Sequence, residues 1–327
     1  MNKGVKFLVN LLVFAMVIGF GWYVFNTLGK PEKSATQIDG TTAATFINDS
    51  AYQKINTIQA GNEIITFDLY GDKVYMAAYQ SIMIYDMAGT LVREIPSEKE
   101  IRDIKVYDDK IYLLHPDEIE VFTLEGEKIK GWPARRPDSD YCSLALSKEY
   151  LFATDAGNKN ICKYTREGDY LNIIISPIGF VIPSYAFDIV NIRDTLYCGN
   201  SGRHRVESYT LEGQFITTFG KTGPEDGSFL GCCNPSYMTA TQSGDILTSE
   251  KGNPRITCYS TDGTFRTVLL HKKALGGGTQ AYKIKTLGER VFVAGKKTLS
   301  VYVFDTEWLS QIQSPGATPD ISLEENI

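Results

Sequence analysis

Short runs in which apolar and polar residues alternate fill most of the chain, and the runs fall into groups that repeat. An alternation of period two places apolar side chains on one face of a strand. In each group, one strand ends in tight-turn chemistry such as Tyr70-Gly71-Asp72, Asp108-Asp109 or Ser243-Gly244-Asp245. A second strand follows, as in Lys73-Val-Tyr-Met-Ala-Ala78 or Arg290-Val-Phe-Val-Ala-Gly295. The third strand carries an aromatic residue with a glycine four positions later, and a fourth strand follows that glycine. The pairs are Tyr85/Gly89, Phe122/Gly126, Tyr164/Gly168, Tyr209/Gly213 and Tyr259/Gly263, with Phe304/Trp308 as a degenerate sixth copy. Successive aromatics lie about 37 to 50 residues apart, the size of a four-stranded propeller blade.

The expected fold is therefore all-β, a six-bladed β-propeller over residues 51–313. Its inner strands are predicted near residues 65–69, 104–107, 143–146, 186–190, 237–241 and 282–286. The last strand of the sixth blade has two candidates, residues 308–312 or 52–58. The second is favoured because it closes the ring with the N-terminal strand and removes free strand edges.

Residues 7–29 carry no charge and follow Lys3 and Lys6. At ~1.5 Å per residue they are long enough to span a bilayer core of ~30 Å. They predict a single N-terminal transmembrane helix over residues 1–29, with a cytoplasmic N-terminus and an extracytoplasmic, periplasmic propeller. Residues 30–50 read as a flexible tether and residues 314–327 as a disordered acidic tail. A formal net charge of −6 gives no support to a nucleic-acid surface. Of the six cysteines, Cys142, Cys162, Cys198 and Cys258 fall in strand-like segments and are expected to be small buried apolar residues.

Blades three to five share a further pattern after the second strand. It reads Asp155-Ala-Gly157-Asn-Lys-Asn160, Asn200-Ser-Gly202-Arg-His-Arg205 and Glu250-Lys-Gly252-Asn-Pro-Arg255. The glycine-rich connector from Phe219 to Phe229 leads into Asn234-Pro235. With the strands around them, these segments resemble NHL repeats; blades one, two and six lack the glycine loop. The resemblance implies a six-bladed ring whose functional surface is one mouth of the central channel. The broad class includes binding scaffolds, RNA-binding modules, amidating lyases and relatives of lactonases, so function has to be argued from residues.

Gly157, Gly202 and Gly252 are expected to supply positive φ, letting the first residue of each loop meet the last. That contact is either a clamp within the blade or part of a ligand site. In the second case Arg205 and Arg255 line the channel mouth and bind an anionic ligand, with Arg203 and Lys251 able to join them. Arg205, Glu250, Arg255 and Asn234 are then the candidates for ligand or partner contact. Cys232 and Cys233 are adjacent, and an arginine nearby, Arg205 or Arg255, is expected to favour a thiolate. The pair is a candidate redox or soft-metal site, or else a compact buried turn. His115, His204 and His271 fall on the same face, but no close spacing supports a tri-histidine metal site. No nucleophile elbow or zinc-protease motif occurs in the sequence. No catalytic residue and no cofactor is expected, and any metal is left open.

The leading expectation is a membrane-anchored, non-enzymatic scaffold that binds an envelope protein partner or a small ligand. The alternative is a redox or soft-metal accessory protein using Cys232 and Cys233. A metal-dependent lyase or hydrolase comes third.

Overall fold

The computed structural model describes residues 52–304. The predicted transmembrane segment, tether, acidic tail and the alternative strand at 308–312 lie outside the described residues. Among the described residues, no helix is long and apolar enough to cross a membrane.

Six four-stranded antiparallel sheets form six blades. Blade one contains β2 (Thr66–Tyr70), β3 (Lys73–Ala77), β4 (Ser81–Asp86) and β5 (Leu91–Pro96). Blade two contains β6 (Asp103–Tyr107), β7 (Lys110–Leu114), β8 (Glu118–Thr123) and β9 (Lys128–Pro133). Blade three contains β10 (Tyr141–Leu146), β11 (Tyr150–Asp155), β12 (Asn160–Thr165) and β13 (Tyr170–Ile174). Blade four contains β14 (Ile189–Ile192), β15 (Thr195–Asn200), β16 (Arg205–Thr210) and β17 (Phe215–Phe219). Blade five contains β18 (Tyr237–Ala240), β19 (Ile246–Ser249), β20 (Ile256–Tyr259) and β21 (Phe265–Leu270). Blade six contains β22 (Lys283–Leu287), β23 (Arg290–Ala294) and β24 (Thr298–Phe304), and its outermost strand is β1 (Tyr52–Gln59). The pairing runs from Tyr52↔Phe304 to Gln59↔Thr298. The favoured closure by the N-terminal strand is thus the one the fold adopts.

The inner strands β2, β6, β10, β14, β18 and β22 contact one another in sequence around the axis, and β22 returns to β2. Every turn between first and second or third and fourth strands lies on one face, the turn face. The loops between second and third strands share the opposite face with the connectors between blades, and this is the connector face. In blade four the inner strand begins at Ile189 rather than Ala186, because a 3-10 turn at Pro183–Tyr185 intervenes.

The repeating glycine has a packing cause. Gly126, Gly168 and Gly213 adopt φ of 94°, 102° and 93°. A Cβ there would meet Ile95 at 2.9 Å, Trp132 at 2.7 Å and Ile174 at 2.7 Å, each on or beside the outer strand of the preceding blade. Gly89 meets Ile58 of β1 in the same way, at 3.5 Å. The partner aromatics Tyr85, Phe122, Tyr164, Tyr209 and Tyr259 are all buried. Apolar clusters fill each seam between neighbouring blades, so the core is a ring of six interfaces.

Candidate functional site: the connector face and the channel mouth

Along the axis, carboxylates tie most neighbouring blades together. The axis-facing edge of an inner strand presents backbone N–H groups that no further strand can pair. Val106 N donates to Asp68 Oδ2 at 2.8 Å, Leu144 N to Asp103 Oδ2 at 2.9 Å, and Met238 N to Asp188 Oδ2 at 2.6 Å. Ser143 Oγ bridges Asp103 and Asp188 at 3.0 and 2.7 Å. Three ammonium groups balance these acids. Lys105 Nζ lies 2.6 Å from Asp103, Lys285 Nζ 3.6 Å from Asp68 and Lys283 Nζ 4.0 Å from Asp188. Burial opposes ionisation of Asp103, but Lys105, Lys283 and Lys285 outweigh it and hold the carboxyl well below its usual range. Burial also acts against the Lys283 and Lys285 ammoniums, yet the facing carboxylates raise both above the ordinary lysine value.

Sequence reasoning missed this axial set. Its signal was present: Asp103-Ile-Lys105-Val106 and Lys283-Ile-Lys285-Thr286 alternate charge with apolar or small residues inside inner strands. Such alternation reads as a solvated face, whereas here that face is the channel.

The glycine loops hold the connectors. In blade three, Asp155 Oδ1 accepts from Asp140 N at 3.0 Å and from Asn158 N at 3.1 Å. In blade four, Asn200 accepts from Val181 N at 2.9 Å and donates to Glu207 Oε1 at 2.8 Å. Blade five alone realises the expected contact between first and last loop residues. Arg255 Nε donates to Glu250 Oε1 at 2.8 Å, Nη1 donates to Asp226 at 3.0 Å, and Nη2 donates to Ser228 O. Arg255 is 5% exposed and Glu250 2%. Their geometry is that of the clamp. Arg205 stands apart, with its Nε 3.4 Å from Glu207 Oε1, an ion pair without a hydrogen bond.

The loop glycines need correction. Only Gly252 has positive φ, 84°. At Gly157 a Cβ would collide with Asp138 O, and at Gly202 it would lie 2.7 Å from Val181 O. Close approach of the connector is the reason for these two glycines. The left-handed residues in the same loops are Lys159 and His204.

Asn234 is fully buried and joins two loops. Its Nδ2 donates to Leu230 O and to Lys251 O at 2.9 Å, and its Oδ1 accepts from Lys251 N at 2.9 Å. This holds Lys251 beside the cysteine pair. Cys232 is exposed, Cys233 is buried, and their Sγ atoms lie 2.7 Å apart; all six cysteines are free thiols. Ser184 Oγ lies 3.7 Å from Cys233 Sγ. Burial raises the Cys233 thiol, but Cys232, Lys251 and Ser184 together hold it below its ordinary value. Cys232 is shifted upward, chiefly by its contact with Cys233. The favouring cation is thus Lys251, while the guanidinium of Arg255 is engaged by Glu250 and that of Arg205 faces Glu207. Cys162, Cys198 and Cys258 are buried, and burial pushes them upward, Cys162 to about 11 and Cys258 to about 12. Cys142 is only partly buried and faces Asp140 O at 3.6 Å.

The three histidines do not converge. His204 contacts Gly231 O and Thr222 Oγ1, while buried His115 contacts Glu100 O at 2.8 Å and Glu120 Oε2 at 3.0 Å. Among the described residues, His115, Glu118 and Glu120 form the group whose ligand atoms lie within 4.8 Å of one another. Lys99 lies 2.5 Å from Glu118, and Lys128 contacts Glu120, so ammonium groups already engage both acids.

The connectors of this face also expose large apolar side chains. Ile175, Ile178, Val181, Tyr185 and Leu230 are all exposed, Ile175 at 64% and Tyr185 at 56%. The two connectors that carry them meet through Cys233 and Ser184, and Arg203 fastens the first by donating to Gly179 O and Ile178 O. No motif pointed to this surface, because single apolar residues in loops carry no periodicity.

No protein-family profile matches the chain, and no curated protein matches its sequence. Among solved structures it is similar to virginiamycin B lyase from Staphylococcus aureus. The TM-score is 0.55 at 14% identity, over 78% of this chain and 100% of that one. A streptogramin B lyase structure gives a TM-score of 0.54 at 14% identity, over 78% and 97% of the two chains. A protein of unknown function from Bacteroides caccae gives 0.50 at 12%, over 72% and 81%. At such identities the likeness shows the fold: this chain is an all-β six-bladed propeller.

Proposed function

We propose that the propeller is a non-enzymatic scaffold, anchored through residues 7–29 on the extracytoplasmic side of a membrane, that docks a protein partner on its connector face. The observation that carries this reading is the exposed apolar set Ile175, Ile178, Val181, Tyr185 and Leu230 on two touching connectors. Large apolar side chains left exposed on adjoining loops are the kind of surface that protein partners cover. The polar candidates beneath it bond inward: Asn234, Glu250 and Arg255 hold the loops that present the surface. Partner contact therefore falls to the apolar side chains, with Arg205 at the rim. The lyase chemistry of the structural neighbours does not accompany a likeness limited to fold.

The test is site-specific photo-crosslinking in the cells that make the protein. A crosslinker replacing Tyr185 or Leu230 is expected to trap one discrete partner, and a crosslinker at Glu212 on the turn face none. Equal trapping from both faces, or none from Tyr185 and Leu230, would overturn the reading.

A second reading, thiol exchange or soft-metal binding, is favoured by one observation: the free Cys232–Cys233 pair beside Lys251. Oxidation of the pair would pass two electrons and two protons to an external disulfide, which is reduced to two thiols. Anaerobic titration with a disulfide reagent should then consume two thiols reversibly, and Cys232→Ser should abolish the reversible step. Two thiols that stay inert, with no soft metal bound on titration, would exclude this reading.

A further inference from the structure

The channel mouth carries a second feature, whose lining shares no residue with the exposed apolar set. A cavity of about 400 Å³ opens over blades five, six and one. Its walls include Ile64, Ile65 and Ala294, with Tyr237 and Lys283 toward the axis and the exposed Glu63–Lys296 ion pair (3.3 Å) at the rim. The volume falls in the range of small-molecule sites, and apolar residues and polar or charged ones share its lining about equally.

Lys283 is the unusual member. Its side chain is 15% exposed, its ammonium stands 4.2 Å from the centroid of the Tyr237 ring, and the nearest carboxylate oxygen, on Asp188, is 4.0 Å away. It donates no hydrogen bond to any described residue, whereas Lys105 on the same axis sits 2.6 Å from Asp103. A largely buried ammonium that reaches only a carboxylate at 4.0 Å and an aromatic face, and that borders a cavity, can take a closer acceptor from a ligand.

We propose that this cavity binds a small organic monoanion, a carboxylate on a short apolar body. The carboxylate sits on Lys283 and the apolar part packs on Ile64, Ile65 and Ala294. The three axial ammoniums match the three axial carboxylates, and Glu63 cancels Lys296 at the rim. The site thus holds no excess positive charge for a polyanion and takes at most the one carboxylate that Lys283 binds. The site is separate from the docking surface over blades three to five, so either assignment can fail alone.

The probe is n-hexanoate, with hexanamide as its neutral counterpart, followed by ligand-observed NMR on the full chain. Hexanoate is expected to bind saturably and at least about tenfold more tightly than hexanamide. Lys283→Met should weaken hexanoate by about tenfold or more and leave hexanamide unchanged. Ala281→Phe, which fills the cavity and leaves every charge in place, should abolish hexanoate binding, and it decides the matter if Lys283→Met does not fold. Equal binding of acid and amide, full hexanoate affinity in either variant, or no saturable hexanoate binding would overturn the proposal.

Discussion

Arg205, the first residue of β16, and Arg255, the residue just before β20, each stand three residues after a loop glycine in adjacent blades, yet their surroundings differ. Arg255 is buried against Glu250, whose carboxylate also accepts from Thr257 Oγ1 at 3.1 Å. In blade four the buried acid is Glu207, and neutral donors satisfy it: Asn200 at 2.8 Å, Ser176 at 3.2 Å and Tyr209 OH at 2.5 Å. Arg205 is left at the edge, its side chain 24% exposed. The lesson is that one loop pattern accommodates two charge schemes. What decides between them is whether the acid has neutral donors of its own.

The largest effect should follow removal of Arg255. Arg255→Ala leaves Glu250 buried without its cation and is expected to cost about 3–5 kcal/mol in denaturant unfolding. A loss below 1 kcal/mol would erase the distinction between the blades. Next, Tyr209→Phe takes one donor from Glu207 and should cost about 1.5–3 kcal/mol, because that bond goes to a charged group. Arg205→Ala is expected to cost under about 1 kcal/mol by the same measurement, as for a partly exposed ion pair. A large loss there would mean that Glu207 depends on its arginine after all.

The smallest signal is a slope with pH. Burial raises the Glu250 carboxyl above its ordinary value of 4.5, with Arg255 and Thr257 opposing the rise. A carboxyl raised in the folded state favours folding below that ordinary value, and the contribution is lost as pH rises through the folded value. Wild type should therefore lose stability relative to Glu250→Gln as pH increases from about 4 towards neutrality. A difference that stays flat, or has the opposite sign, would place Glu250 in a more polar setting than its burial indicates.

The blades were legible because their signal is local. Tyr164 and Gly168 stand four residues apart, and both are held by contacts at one seam, so sequence spacing records the packing directly. Closure by β1 was legible as the favoured of two candidates, because pairing the N-terminal strand with β24 joins the two ends of the ring and leaves no open seam. The site was less so. Nothing within the Gly231–Pro235 segment tells that Lys251, rather than an arginine, comes to Cys233, since Asn234 brings that loop across. Lys283 was hidden for another reason. Its alternation with Ile284 and Lys285 is what a solvated strand would show, and only the ring makes that face an interior.

Closure by β1 also gives the molecule a direction. As an outer strand, β1 runs from the turn face at Tyr52 to the connector face at Gln59, and its partner β24 runs back to end at Phe304 opposite Tyr52. Both ends of the described chain thus emerge side by side on the turn face. Whatever is joined before Tyr52 or after Phe304 is therefore joined at the turn face, while Tyr185, Cys232 and the Lys283 cavity lie on the connector face opposite.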